Sequence, residues 1–192
     1  MVDVQVRLAR PDDAVAVARI QLSTWRTAYA AVIPASVLDA LGEDDAAVQW
    51  RSAIVEPPTP LHRVLVAFEG EVAVGFAAIG PAVPEDLVGP GHESEALPAS
   101  GAWNRDALAV STLLVEPRWG RRGHGSRLLA AVADVAREDG FTRALAWVLD
   151  ADAATRKFLE SAGWAPDGVG RVLDMDGTDV DEIRLVTKFQ DA

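Results

Sequence analysis

The chain has 192 residues, and 18 lysines and arginines face 29 aspartates and glutamates, which gives a formal net charge of −11. Affinity for nucleic acid comes mainly from basic contacts with phosphates, so a chain this acidic is not expected to bind DNA or RNA. It contains no cysteine, which excludes disulfides, thiolate metal ligands and a cysteine nucleophile. A hydrophobic content of 49% suffices for a sizeable core. One domain over residues 1–192 is the simplest expectation.

Neither a membrane segment nor a metal site is indicated. No apolar run approaches the roughly 20 residues that a bilayer-spanning helix needs. The first residues, MVDVQVRLARPDD, lack the apolar stretch of a signal peptide, and no spacing of His, Asp and Glu is typical of a metal site. A cytoplasmic protein without membrane partners is therefore expected.

The first part of the chain reads as a strand followed by helices. Apolar residues alternate over residues 2–8 and predict a strand. A helix starts at Pro11, and its apolar stripe includes Trp25 and Tyr29. Two shorter helices are predicted on either side of Gly42.

The rest of the chain alternates strands and helices. HRVLVAFEGEVAVGFAAIG predicts two strands joined at Glu69-Gly70, and residues 81–106, rich in Pro and Gly, are predicted as a long loop. ALAVSTLLV predicts a central strand, followed by a glycine-rich turn and a helix that ends at Gly140. A strand, a helix and a closing hairpin follow. This order predicts an α+β fold with a mixed, mostly antiparallel sheet, a central β-turn-α-β unit and flanking helices.

The turn RRGHGS carries the chemistry of an anion site. Gly123 and Gly125 remove side chains where the backbone turns tightly, and N–H groups at the positive end of a helix dipole bind phosphates. Arginines 118, 121, 122 and 127 supply further donors. The alternative is an ordinary strand-to-helix turn with solvated arginines. The fingerprints of P-loop and dinucleotide-binding proteins are both absent, which disfavours a nucleotide-binding protein.

The stretch VEPRWGRRGHGSRLL resembles the pyrophosphate-binding motif of the GNAT superfamily of acyl-CoA-dependent N-acetyltransferases. Val115 and Pro117 match the end of the family's strand, and Gly123 and Gly125 match its glycines. Gly120 stands where the family usually has Gln or Arg.

A second stretch, DAATRKFLESAGW over residues 152–164, resembles the family's N-x-x-A-x-x-F-Y-x-x-x-G-F motif. Phe158, Gly163 and the aromatic Trp164 are kept, whereas Asp152, Thr155 and Leu159 depart from it. The two motifs occur in the family's order.

The resemblance implies the GNAT fold and acetyl-CoA as co-substrate, bound in a gap between the strands STLLV and RALAWVL. The pyrophosphate would lie on the amides of the turn, and the pantetheine arm would pair with the end of the first strand. The residues expected to bind acetyl-CoA are Leu113, Leu114, Val115, Arg121, Arg122, Gly123, His124, Gly125, Ser126, Asp152 and Phe158. For His124, the backbone N–H is expected to matter more than the ring.

The resemblance also implies that a primary amine of a small molecule or peptide attacks the thioester directly in a ternary complex. The family's usual tyrosine and glutamate positions hold Leu159 and Ala109, which cannot titrate. Asp150 is the expected base, with a helix N-cap as its alternative role, and Ser111 is the expected ligand of a water, with a structural role as the alternative.

The acceptor pocket is expected to include Trp25, Tyr29 and Trp147. An aromatic pocket in an acidic protein favours a cationic amine. A buried core position is the alternative for Trp25 and Tyr29.

The missing tyrosine and glutamate leave a second hypothesis, a catalytically degenerate module that binds acyl-CoA as a sensor. The sequence leaves open the acceptor, the acyl-chain length, the acid and base, and the oligomeric state, a homodimer included.

Overall fold

A computed structural model describes residues 3–87 and 104–189. The strands are β1 (Val4–Leu8), β2 (Arg63–Glu69), β3 (Val72–Ala82), β4 (Asn104–Val115), β5 (Arg143–Leu149), β6 (Ala165–Met175) and β7 (Thr178–Lys188). The helices are α1 (Ala14–Ala28), α2 (Ala35–Ala40), α3 (Glu43–Val55), α4 (Pro84–Leu87), α5 (His124–Glu138) and α6 (Ala153–Ser161), and short 3-10 turns cover Pro11–Asp13 and Pro117–Trp119.

The described strands form one seven-stranded sheet in the order β1-β2-β3-β4-β5-β7-β6. β1 with β2, β2 with β3, β5 with β7 and β6 with β7 pair antiparallel, whereas β4 and β5 pair parallel. The predicted α+β fold with a mixed, mostly antiparallel sheet is confirmed. The parallel pair exists because α5 returns the chain to the start of the neighbouring strand.

The long loop predicted over residues 81–106 was wrong at both ends. β3 continues to Ala82, a helical turn covers Pro84–Leu87, and β4 begins at Asn104. Pro81 is tolerated in β3 because it lies beyond Ile79, the last residue of β3 that pairs with β2. Residues 88–103 lie outside the described part of the chain.

Internal contacts group the chain into two compact units, Met1–Ile79 with Thr112–Asp134 and Gly80–Ser111 with Val135–Ala192. The prediction of one domain stays a prediction. In the first unit, α1 packs against apolar residues of β2 and β3, with Trp50 of α3 edge-on to Phe76 at 5.0 Å between ring centroids. Buried members of this core include Val17, Ile20, Val66, Phe76 and Leu114.

The core of the second unit is built on small residues. Ala82, Ala107 and Leu145 are buried together, and the partly buried Trp147 and Val186 pack against them. Small side chains on β3 and β4 leave room for the large indole on β5.

Candidate functional site

The segment between β4 and α5 is a tight turn in which two residues adopt left-handed backbone conformations. Arg121 has φ +62° and Gly123 has φ +81°. Gly123 adopts this conformation without a steric penalty, whereas for Arg121 it is unusual. Alternation of right- and left-handed residues turns successive N–H groups toward one side, the arrangement that binds anions in many proteins.

The amides of this turn have no acceptor in the described part of the chain. None of the backbone N–H groups from Arg121 to Ser126 donates to a described residue, and the first that does is that of Arg127, which donates to the carbonyl of Gly123 at 3.1 Å. Helix N-termini leave such N–H groups unpaired and carry the positive end of the helix dipole. The turn therefore presents a row of donors without acceptors among the described residues, and the anion site predicted from the sequence stays a prediction.

One of the arginines around the turn is held by a buried carboxylate. The Nε of Arg118 lies 2.7 Å from Glu116 Oε1, and Arg19 of α1 binds the other oxygen of Glu116 at 2.9 Å. Glu116, only 6% exposed, also donates its N–H to the carbonyl of Val74. It therefore ties the turn to α1 and β3, a role that the sequence did not suggest.

Two further arginines are engaged within the turn. Arg122 Nη1 lies 3.0 Å from Glu69 Oε1, and Arg127 Nη1 donates to the carbonyl of Arg122 at 2.9 Å. Arg121 is exposed and has no partner among the described residues. Glu69 and Glu116 thus each bind one of the four arginines, and the expectation that all four supply donors to an anion stays a prediction.

The ring of His124 is buried under the turn and bound to Glu69. It is 1% exposed, and its Nε2 lies 2.7 Å from Glu69 Oε2. Its Nδ1 has no hydrogen-bond partner in the described structure. The sequence directed attention to the backbone N–H of His124 and gave no signal for the ring, because Glu69 lies 55 residues earlier in the chain.

The end of β4 turns its backbone groups alternately to its two edges. The N–H of Glu116 bonds to β3, and a Cβ added to Gly75 of β3 would come within 2.7 Å of the carbonyl oxygen of Leu114. By alternation, the N–H and C=O groups of Leu113 and Val115 point to the edge of β4 away from β3. Leu113 and Val115, more than Leu114, present backbone groups to a ligand at that edge.

The two residues predicted for catalysis, Ser111 and Asp150, belong to the second unit. The parallel pairing of β4 with β5 reaches Val110 opposite Ala146, and exposed Ser111 follows it. Asp150 is exposed after β5 and donates its N–H to the carbonyl of Asp181 at 2.9 Å.

Asp152 is the N-cap of α6. One carboxylate oxygen accepts the N–H of Thr155 at 2.9 Å, so the capping role considered for Asp150 falls to Asp152. Phe158, on the same helix, is half-buried. Leu159 is 3% exposed and belongs to the core.

Trp147 is already in contact with charged groups. Its Nε1 donates to Asp86 Oδ1 at 3.2 Å, and the guanidinium of Arg171 lies 4.2 Å from the ring centroid. Asp86 was missed by the sequence reasoning, since it lies in the segment predicted as a loop. An amine that approached this ring would meet Arg171, which is itself a cation.

Trp25 and Tyr29 lie at the end of α1 and at its C-cap. Both are half-buried and pack against the core of the first unit, and the N–H of Tyr29 donates to the carbonyl of Trp25 at 3.0 Å. Their part-exposure is compatible with both the core and the acceptor expectations.

A mixed sheet whose parallel pair leads into a glycine turn at a helix N-terminus is the fold that the resemblance to the GNAT superfamily implied, and comparison with known proteins gives the same family. The profile of the Acetyltransferase (GNAT) family matches residues 22–164, more than half of the chain. The chain belongs to this family and is an acyltransferase. Among the described residues, every helix is too short or too polar to cross a membrane.

Individual relatives agree with this assignment. The uncharacterized N-acetyltransferase YuaI of Bacillus subtilis (strain 168) is 29% identical over 148 residues, which cover 77% of this chain and 72% of YuaI. YncA of Salmonella typhimurium, in a structure with acetyl-CoA, is 18% identical with a TM-score of 0.66 over 98% of this chain and 95% of that one. The PaiA N-acetyltransferase of Thermoplasma acidophilum, in complex with coenzyme A, is 13% identical with a TM-score of 0.66 over 97% and 99%. The two structures support the fold.

Proposed function

We propose that the chain transfers an acetyl group from acetyl-CoA to a primary amine of a small molecule or peptide. The observation that carries the proposal is the row of backbone N–H groups from Arg121 to Ser126, which have no acceptor among residues 3–87 and 104–189, at the start of a 15-residue helix. A pyrophosphate suits this row because it brings several acceptor oxygens and negative charge to the positive end of the helix dipole.

The residues of the turn fit a pyrophosphate. The amides from Arg121 to Ser126 would bind its oxygens, and exposed Arg121 would add a cationic side chain. Leu113 and Val115 would pair with the amide groups of the pantetheine arm at the edge of β4. When bound, acetyl-CoA supplies the activated acetyl group as a thioester.

The proposed reaction is direct attack by the amine in a ternary complex. The amine nitrogen forms a bond to the thioester carbonyl carbon, the carbon–sulfur bond breaks, and the thiolate leaves and takes up a proton. The amine must be neutral, and for a lysine-like amine at pH 7 deprotonation costs about 3.4 pKa units, or about 4.6 kcal/mol. A base is therefore needed, and we assign this role to Asp150, with Ser111 binding a water that relays the proton.

For the acceptor we propose an amine that carries positive charge in solution. The chain has a net charge of −11, which attracts cations, and the half-buried rings of Trp25 and Tyr29 favour a cation through their π faces. The expectation that Trp147 binds the acceptor is not carried into this proposal, since Arg171 lies against its ring and its Nε1 donates to Asp86.

The experiment is calorimetric titration of the purified protein with acetyl-CoA, with pantetheine lacking phosphates as the control ligand. Tight binding of acetyl-CoA alone supports the phosphate site, and a screen of amines for release of free CoA thiol then identifies the acceptor. Failure to bind acetyl-CoA would refute the proposal. Binding with no turnover on any amine would favour the degenerate acyl-CoA-binding module, for which buried Leu159 at the tyrosine position is the specific observation.

A further inference from the structure

We infer that Glu69 and His124 form a positioning pair that holds the proposed phosphate-binding turn, whose amides have no acceptor among the described residues, so that Glu69 strengthens acetyl-CoA binding despite its negative charge. The inference rests on the proposed function, because it concerns how the turn receives a pyrophosphate. Glu69 and the ring of His124 contact the turn and not the reacting atoms, so their proposed role is to position the turn.

The geometry joins one carboxylate to both neighbours of Gly123. Glu69, the last residue of β2, binds the ring of His124 through Oε2 at 2.7 Å and the guanidinium of Arg122 through Oε1 at 3.0 Å. Gly123 between them has φ +81°. The residues on either side of the left-handed glycine are thus anchored to the same strand end, which restricts the directions that the amides of this segment can take.

The bonds of Arg122 extend this anchorage along the turn. Its guanidinium lies 4.8 Å from the ring centroid of Trp119, and its carbonyl accepts Arg127 Nη1 at 2.9 Å. Contacts with side chains therefore hold the turn in place, while its N–H groups have no acceptor among the described residues and can donate to a ligand. A loop without such contacts would lose conformational entropy when the ligand binds, which would weaken binding.

The unpaired Nδ1 of His124 argues that the ring is present for its bond to Glu69 rather than for packing. A polar atom that is buried without a partner lowers stability, and Nδ1 has no partner in the part of the chain that the structure describes. An apolar side chain of similar size would fill the space without that cost. What the histidine adds is a charge-assisted hydrogen bond from Nε2 to the carboxylate.

Electrostatics alone makes the opposite prediction, which gives the inference a sharp test. A carboxylate near a phosphate site repels the polyanionic ligand, so its removal should tighten binding if it were a bystander. If Glu69 positions the turn, its removal should weaken binding. The sign of the change in the dissociation constant separates the two.

The experiment measures acetyl-CoA binding by calorimetry for the wild type, Glu69→Ala, Glu69→Gln and the control Glu71→Gln. Glu71 is exposed in the turn between β2 and β3. Its substitution therefore removes the same charge from the same hairpin and leaves the bonds of Glu69 to His124 and Arg122 intact. We expect Kd to rise about 10- to 100-fold in Glu69→Ala, by the loss of bonds to charged groups, and by a smaller factor in Glu69→Gln, which keeps one acceptor. In Glu71→Gln we expect Kd to stay within about twofold or to fall.

Two further readings separate positioning from a loss of stability. A merely destabilised variant lowers the binding stoichiometry and leaves Kd of the folded fraction unchanged, whereas loss of positioning raises Kd at full stoichiometry. In the wild type, nitrogen NMR of the imidazole should show a hydrogen-bonded Nε2–H that is lost in Glu69→Ala.

The outcomes that overturn the inference are distinct from failure of the proposed function. Unchanged or lower Kd in both Glu69 variants, with normal binding by the wild type, overturns the positioning pair alone. The positioning pair is also overturned if nitrogen NMR of the wild type shows no hydrogen-bonded Nε2–H on the His124 ring. No binding of acetyl-CoA by the wild type overturns both.

Discussion

Substitution of Gly123 by aspartate tests the phosphate site most directly. Gly123 has φ +81°, and its new Cβ would lie 3.0 Å from Arg127 Nη1, the end of a flexible side chain that can move. The left-handed conformation costs a residue with a Cβ about 1–2 kcal/mol. Gly123→Ala shares this cost, so comparing the two variants isolates the carboxylate.

The magnitude follows from one added negative charge beside the bound pyrophosphate. At a separation of about 5 Å and an effective dielectric constant of about 20, two like charges repel by about 3 kcal/mol. Pairing of the new carboxylate with Arg127 offsets part of the repulsion but also occupies a cation of the turn. We expect acetyl-CoA to bind Gly123→Asp about 100-fold more weakly than Gly123→Ala.

The assay is calorimetric titration with acetyl-CoA, accompanied by thermal unfolding of each variant. Gly140→Asp is the matched control, since Gly140 has φ +82° and lies just after the other end of α5, and an added Cβ would have no described neighbour within 4 Å. It should bind acetyl-CoA within about twofold of the wild type. Equal affinity of Gly123→Asp and Gly123→Ala would refute the placement of the pyrophosphate at this turn.

Three further predictions concern individual carboxylates. If Asp150 is the base, Asp150→Asn lowers kcat/KM at neutral pH about 10²- to 10⁴-fold. The substitution also removes the fall of kcat/KM toward acidic pH, because a base works only when it is deprotonated. An unchanged pH–rate profile would exclude Asp150 as the base. In thermal unfolding, Asp152→Ala should lower the free energy of unfolding by about 1 kcal/mol, because α6 loses its N-cap. Asp152→Asn keeps a capping oxygen and should stay within about 0.3 kcal/mol of the wild type. Equal losses in both variants would contradict a simple capping role. Burial opposes ionisation of Asp13, but hydrogen bonds from Arg7 and from the N–H of Arg10 outweigh it and lower the pKa of this carboxyl. The stabilisation by this ion pair is therefore complete above the ordinary pKa of about 4 and is lost as the pH falls through the lowered value. In urea titrations, Asp13→Asn should be about 1–2 kcal/mol less stable than the wild type at pH 7, and the two should differ little near pH 2. A difference that stays constant over that range would argue against the ion pair.

Much of the fold could be predicted from the sequence because its signals are local. Apolar periodicity located the helices and strands, and Gly70, Gly140 and Gly163 all adopt positive φ at the ends of elements, where the sequence predicted turns or helix stops. Local signals failed over residues 81–106, where proline and glycine suggested a loop but β3 and β4 extend into the segment. Strand ends depend on pairing with other strands, which composition does not report.

The candidate site divides in the same way. The sequence by itself determined the glycine turn at the start of α5, since a motif of adjacent residues specifies both the backbone conformation and the row of amides. Only the tertiary structure decided which side chains support that turn, because the partners lie far apart in the chain: Glu69 is 55 residues from His124, and Arg19 is 97 residues from Glu116. Such pairs form when sheet pairing and helix packing bring distant segments together, so the carboxylates that hold the arginines and the histidine follow from the fold and from no local pattern.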